Sequence, residues 1–179
     1  VINKFLFFSI IKRLLAILCL IALVMATYLL WARPFQLNWG ATDQEVTMSM
    51  PGDQLDPNPE FLATRVITIS GKPEEIWPWL IQMGYDRAGY YGYDILENLG
   101  SKKGISSADR ILPEFQQFAV GDEVPISSVA RMVFFAIEPN KYLIWSGTNH
   151  QNSYLWALYP VDEGHTRLVS RIRWSFHWT

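Results

Sequence analysis

Residues 14–31 read LLAILCLIALVMATYLLW, eighteen positions without a charge, and no other feature constrains this chain as strongly. A helix of that length rises about 27 Å, close to the ~30 Å hydrocarbon thickness of a bilayer. A helix in a water-soluble core is seldom apolar all round. Lys12 and Arg13 precede the run, Tyr28 and Trp31 lie near its far end, and Arg33-Pro34 is expected to close it. That is the order of cationic flank, span and aromatic belt. A cleaved secretory signal would have a shorter apolar run followed by small residues, whereas Tyr28, Leu29, Leu30 and Trp31 follow Ala26 here. The expectation is an uncleaved single span at about residues 14–31. The residues before it lie at the interface, because Lys12 and Arg13 are costly at mid-bilayer. More positive charge precedes the run than immediately follows it, which predicts a cytoplasmic N-terminus and a domain on the outer face.

The remaining sequence divides into an extended juxtamembrane segment at 34–61, rich in proline and polar residues with no sustained period, and a domain at 62–179. The anchor is thus 1–33. From Arg33 onward the chain carries 12 basic and 17 acidic side chains, a balance that disfavours a nucleic-acid partner. Cys19, the only cysteine, lies in the apolar run, so no intrachain disulfide or cysteine metal cluster can form. His150, His165 and His177 are scattered with no ligand spacing, and no metal or cofactor is expected. No phosphate-binding loop, dinucleotide fingerprint or nucleophile elbow is present.

LATRVITIS at 62–70 predicts a strand, with Val66, Thr68 and Ser70 opposite Arg65, Ile67 and Ile69. A helix follows, opened by Pro73 and two glutamates, with Ile76, Leu80 and Met83 on one face and Pro78 interrupting it. The stretch 85–118 mixes glycines with short helical patches, including one over 93–99. From 120 onward VGDEVPI, RMVFFAI, YLIWSG, YLWALYPV and TRLVSRIRWSF form an antiparallel meander with turns at 138–141 and 162–164. In the last strand Leu168, Ser170, Ile172, Trp174 and Phe176 share one face, and Arg167, Val169, Arg171 and Arg173 the other. The arginine stripe reads as a solvated outer face rather than a lipid-headgroup contact.

The fold class is α+β. The segments WGATDQEV (39–46), PGD (51–53), ATRVITI, EEIWPWLIQMG, GYYGYDILENL, SADRILPEF and VGDEV together resemble the START-like or SRPBCC superfamily, and within it a bacterial membrane-anchored group. The resemblance covers roughly 39–175. It implies a helix-grip fold, an antiparallel sheet with short helices curled around a long C-terminal helix, and a cavity for lipids or other apolar molecules. The chain stops at Thr179 after WSFHWT, so that long helix is expected to be missing or truncated.

Aromatic rings offer large contact area, and Trp and Tyr add a polar handle. Trp77, Trp79, Tyr90, Tyr91, Tyr93, Trp145, Trp156 and Trp174 are the candidates for a cavity wall or for ordinary core, with Gln82 and Ser170 as polar contacts for a ligand. Asp94 and Glu97, three apart on a helical turn, are the candidate catalytic acid and base. The alternative for them is a structural ion pair with Arg110. The expected function is a non-catalytic, membrane-tethered binding domain for an apolar or lipid-like small molecule, its partners being that molecule and the bilayer. The alternatives are a cyclase or hydratase-type enzyme using Asp94 and Glu97, and a cavity-less interaction module of the cell envelope.

Overall fold

The structure, a computed structural model, describes residues 4–97 and 106–175, with side chains from 7–95 and 106–175. It divides into two compact units, Val1–Trp39 and Gly40–Thr179. In the first, α1 (Lys4–Thr27) passes through a π-helical stretch, Tyr28–Ala32, into α2 (Arg33–Leu37). The helical stretch Phe7–Leu37 contains an 18-residue window of mean hydropathy 2.6, and it is long and apolar enough to cross a membrane.

Arg33-Pro34 does not close this helix, contrary to the sequence expectation. Proline lacks an N–H, and in α geometry its ring collides with the carbonyl four residues back. The wide π turn immediately before it relieves that conflict, the Arg33 N–H bonding to Tyr28 O five residues back, and the helix runs on to Leu37.

The second unit is built on a six-stranded antiparallel sheet in the order β1-β6-β5-β4-β3-β2. Its strands are β1 (Phe61–Ser70), β2 (Glu123–Pro125), β3 (Arg131–Glu138), β4 (Tyr142–Ser146), β5 (Ser153–Pro160) and β6 (His165–Trp174). β2 to β6 form the expected meander. Its 138–141 turn places Asn140 at φ 61°, a left-handed conformation asparagine tolerates, and the Lys141 N–H bonds to Glu138 O at 3.0 Å. β1 pairs with β6 from Phe61↔Trp174 to Ser70↔His165, so the earliest strand is flanked by the latest.

Alternation divides the apolar side chains between two faces. On the first face Phe134, Leu143, Trp145, Trp156 and Leu158 form one cluster with Ile76, Trp77 and Leu80 of α4 (Pro73–Ile81), the helix directly after β1. α4 starts where the sequence predicts: Glu75 accepts the Lys72 N–H at 2.8 Å, Pro73 needs no donor in the first turn, and Pro78 is accommodated inside. Its C-terminal carbonyls are capped by Arg87, whose guanidinium donates to Ile81 O at 2.8 Å and Met83 O at 3.2 Å. Burial pulls the Arg87 pKa below the usual arginine value.

The second face departs from expectation. Val66, Ile144, Leu155, Ala157 and Val169 form its apolar cluster, and the preceding chain covers it. Residues 40–57, read from sequence as part of an extended lead-in, contain α3 (Asp43–Thr47), capped by Thr42 and Glu45, and a 3-10 turn at Asp53–Leu55. The arginine stripe of β6 is what they dock on, so the stripe is not a solvated face. Arg171 is only 2% exposed and donates to Glu45 O (2.5 Å), Val46 O (3.1 Å), Met48 O (2.8 Å), Asp53 Oδ2 (2.9 Å) and Thr64 Oγ1 (3.1 Å). Arg167 forks onto both Glu45 oxygens, and Arg173 donates to Asp56 O and Pro57 O. A planar fork of five donors matches a cradle of carbonyls better than any ammonium group could. Gly40 sits at φ 72°, so close over β1 that a Cβ would lie 2.0 Å from Val66 O; only glycine fits there.

Candidate functional site

α4 has nine residues and β5, a strand it packs on, has eight. At about 1.5 Å per helical residue against about 3.3 Å per strand residue, the helix covers about half the length of that strand. The uncovered part of the first face is a cleft of about 680 Å³, open to solvent on one side rather than enclosed. Its floor is Trp156 and Leu168, one wall is Ile76, Trp79 and Leu80, and the rim carries Tyr90 and Tyr91. That size falls within the ~300–1,000 Å³ typical of small-molecule sites, and the lining is largely apolar. Glu75 is the acid among the lining residues, and one of its oxygens already serves the α4 cap.

The rim is held by residue 82. Gln82, fully buried, donates from Nε2 to Tyr91 Oη at 2.6 Å and Arg110 O at 3.1 Å. Its Oε1 accepts from Leu112 N at 2.9 Å and Gln116 Nε2 at 3.2 Å. Two donors and two lone pairs are all a primary amide has. Gln82 is therefore saturated and pins the chain at 110–116 to the end of α4; no valence is left for a ligand, which corrects its assignment as a ligand contact.

Tyr91 adopts φ 57°, and its ring packs edge-on against Trp79 with centroids 5.7 Å apart. Its N–H donates to Ser107 Oγ at 3.1 Å. The same seam requires Gly89, at φ 74°, where a Cβ would meet Ser107 Cα at 2.9 Å. Burial pushes the Tyr91 hydroxyl pKa above its ordinary value, partly opposed by the bond from Gln82. Tyr90, also at the rim, donates its hydroxyl to Ile126 O at 2.8 Å.

Of the eight aromatic candidates, Trp79, Tyr90, Tyr91 and Trp156 line the cleft. Trp77 and Trp145 are core. Trp145 is wholly buried against Trp156, centroids 4.2 Å apart, and its indole N–H finds no hydrogen-bond partner among the described residues. Tyr93 is 80% exposed. Trp174 packs on the edge of the core, and Ser170, though on the cleft side of β6, is not in the lining. Ile69, Met83 and Leu168 are lining residues outside the candidate set. The three-to-four spacing of Ile76, Leu80 and Met83, the last just past the end of α4, was the signal for Met83.

The carboxylate predictions fare differently. Asp94, at the start of α5 (Asp94–Glu97), accepts the Ser107 hydroxyl at 2.7 Å and the Ser107 N–H at 3.2 Å. It braces the loop and is not among the cleft-lining residues. The Arg110 side chain is exposed and forms no ion pair with Asp94 among the described residues. Its carbonyl, rather than its guanidinium, holds the segment, because Ser107 reaches Asp94 and Gln82 reaches Arg110 O. The side chain of Glu97 lies outside the described residues.

Neither a protein-family model nor a curated relative matches the chain. Among solved structures it is similar to a polyketide-cyclase-like protein from Corynebacterium glutamicum, at 14% identity and a TM-score of 0.38, covering 64% of this chain and 65% of that one. A conserved protein of unknown function from Enterococcus faecalis has 17% identity and a TM-score of 0.34, with 69% and 66% covered. The Aha1 dimer from Colwellia psychrerythraea has 19% identity and a TM-score of 0.36, with 66% and 79% covered. The chain thus spans about two thirds of the first two.

Proposed function

We propose that this protein is a membrane-tethered, non-catalytic binding domain of the helix-grip type for an apolar or lipid-like small molecule. The open apolar cleft between α4 and the sheet is the observation that carries this reading: about 680 Å³ of space that the short helix leaves uncovered, walled by Trp79, Trp156 and Leu168. The N-terminal helix is the tether, with the N-terminus in the cytoplasm and the domain outside. A tether beside a bilayer raises the local concentration of a lipid-like ligand. A cyclase or hydratase would need a carboxylate free inside the cleft; Asp94 is engaged by Ser107 away from it, and Glu75 caps a helix. The open cleft likewise counts against an interaction module with a filled core.

Native mass spectrometry of the full chain in nanodiscs, after exposure to a total lipid extract, tests the reading. A stoichiometric adduct of defined mass is expected, and it should weaken in Leu168→Trp, where an indole fills the floor. A wild-type chain that stays empty throughout sinks the proposal.

A further inference from the structure

The orientation of the Gln82 amide is fixed twice over. The Leu112 backbone N–H can only donate, so the amide atom 2.9 Å from it is oxygen; the Arg110 carbonyl can only accept, so the atom 3.1 Å from it is nitrogen. The nitrogen therefore also faces Tyr91 Oη, 2.6 Å away, and Tyr91 is the acceptor in that bond. A phenol has one hydrogen in addition to its lone pairs, and accepting from Gln82 leaves that hydrogen to be placed. None of the described residues takes it.

Tyr91 lines the cleft, and its hydroxyl lies against the fully buried Gln82 amide. The placement is held against a conformational cost: φ 57° is a left-handed backbone that a non-glycine residue adopts at a penalty. Three contacts impose it, namely the Ser107 bond, the edge-on Trp79 ring and the Gln82 amide. Strain of this kind, over-determined by its surroundings, is a pointer to a site.

We propose that the Tyr91 hydroxyl is a preset hydrogen-bond donor in the cleft and that it selects ligands carrying an acceptor oxygen, a ketone, ester or ether, on an apolar body. The inference rests on the binding function proposed above and adds the ligand class and the residue that recognises it. Its raised pKa keeps the hydroxyl protonated at neutral pH, so it is a donor there, and the bond it accepts from Gln82 polarises its O–H further.

The test uses the full chain in phosphatidylcholine nanodiscs with two probes of nearly equal shape, 2-acetylnaphthalene and 2-isopropylnaphthalene, each corrected for uptake by empty discs. Wild type should bind the ketone about five- to tenfold tighter, the worth of one such hydrogen bond. The bound carbonyl should show an infrared stretch shifted to lower wavenumber. Tyr91→Phe should lose both the preference and the shift. Equal binding of the two probes by wild type with an unshifted carbonyl overturns the inference while leaving the binding function standing, and needs no variant that must fold. A preference that survives in Tyr91→Phe overturns the assignment to Tyr91. Binding of neither probe overturns the proposed function itself.

Discussion

The two faces of the sheet are closed by opposite means. On one, three arginines from β6 reach into carbonyls and carboxylates of residues 40–57 and hold that segment flat against Val66, Ile144 and Leu155. On the other, a nine-residue helix supplies apolar side chains and stops short. Hydrogen bonds are directional and leave the sealed face little freedom to shift, whereas apolar contact is proportional to area and ends where the helix ends. The polar seal covers Val66, Ile144 and Leu155 and leaves a hollow of about 590 Å³ at its margin beside Pro51, Tyr142 and Tyr159, whereas the apolar side leaves the cleft of about 680 Å³ against Trp79 and Trp156. A buried guanidinium thus does structural work on one face, and the larger, aromatic-walled opening lies on the other.

Breaking the sealed face should have the largest consequence. Arg171→Met removes the donor to three backbone carbonyls and leaves the Asp53 carboxylate with only the Met50 N–H and Arg173, so we expect a loss of about 3–5 kcal/mol in chemical denaturation and proteolytic cleavage within 40–57. An unchanged midpoint would remove the seal from the account. The next largest effect belongs to the cleft rim: Gln82→Met leaves the Leu112 N–H and the Arg110 carbonyl unpaired and should cost about 2–4 kcal/mol. Amide hydrogen exchange should locate the loosening at 106–116 rather than in the strands.

A smaller effect comes from acid. The bidentate contact with Arg167 holds the Glu45 carboxyl at about 2, against 4.5 when unfolded. Between those values the unfolded chain binds more protons, so stability is fully present above pH 4.5 and falls as pH drops toward 2. Solvent at this partly accessible pair limits the effect to on the order of 1 kcal/mol. Glu45→Gln should flatten that part of the pH–stability curve, and a wild-type profile already flat there would contradict the pairing. Smallest of all should be Leu168→Trp, because the added indole enters space already open: we expect a change in stability of about 0.5 kcal/mol or less in thermal unfolding.

The strands and the α4 helix were legible because their periods are local properties of a few consecutive residues. Alternation along β6 assigned Arg167, Arg171 and Arg173 correctly to one face, yet it could not say what lies over that face. The covering segment is more than 110 positions away and has no period of its own. The Arg33-Pro34 stop failed because a proline ends a helix only if α geometry is kept, and the π turn gives it up. In the site, aromatic content pointed to the right elements without separating wall from core: Trp145 and Trp156 are neighbours on adjacent strands, and only the second meets the cleft. The Asp94–Arg110 pairing was inferred from charge alone, whereas the fold gives Asp94 to a serine and gives the Arg110 carbonyl to a glutamine.

The pairing of β1 with β6 also orders events in time. Of the six strands, the first made must wait for the last before it gains a neighbour, and residues 40–57 wait for the same strand, since their carbonyls are bound by Arg171 and Arg173. During synthesis the meander β2 to β5 can zip hairpin by hairpin and take up α4, while β1 and residues 40–57 stay undocked. Closure of this domain is therefore a late, long-range step, and a chain interrupted before residue 165 would leave both its opening strand and its lead-in without a place to bind.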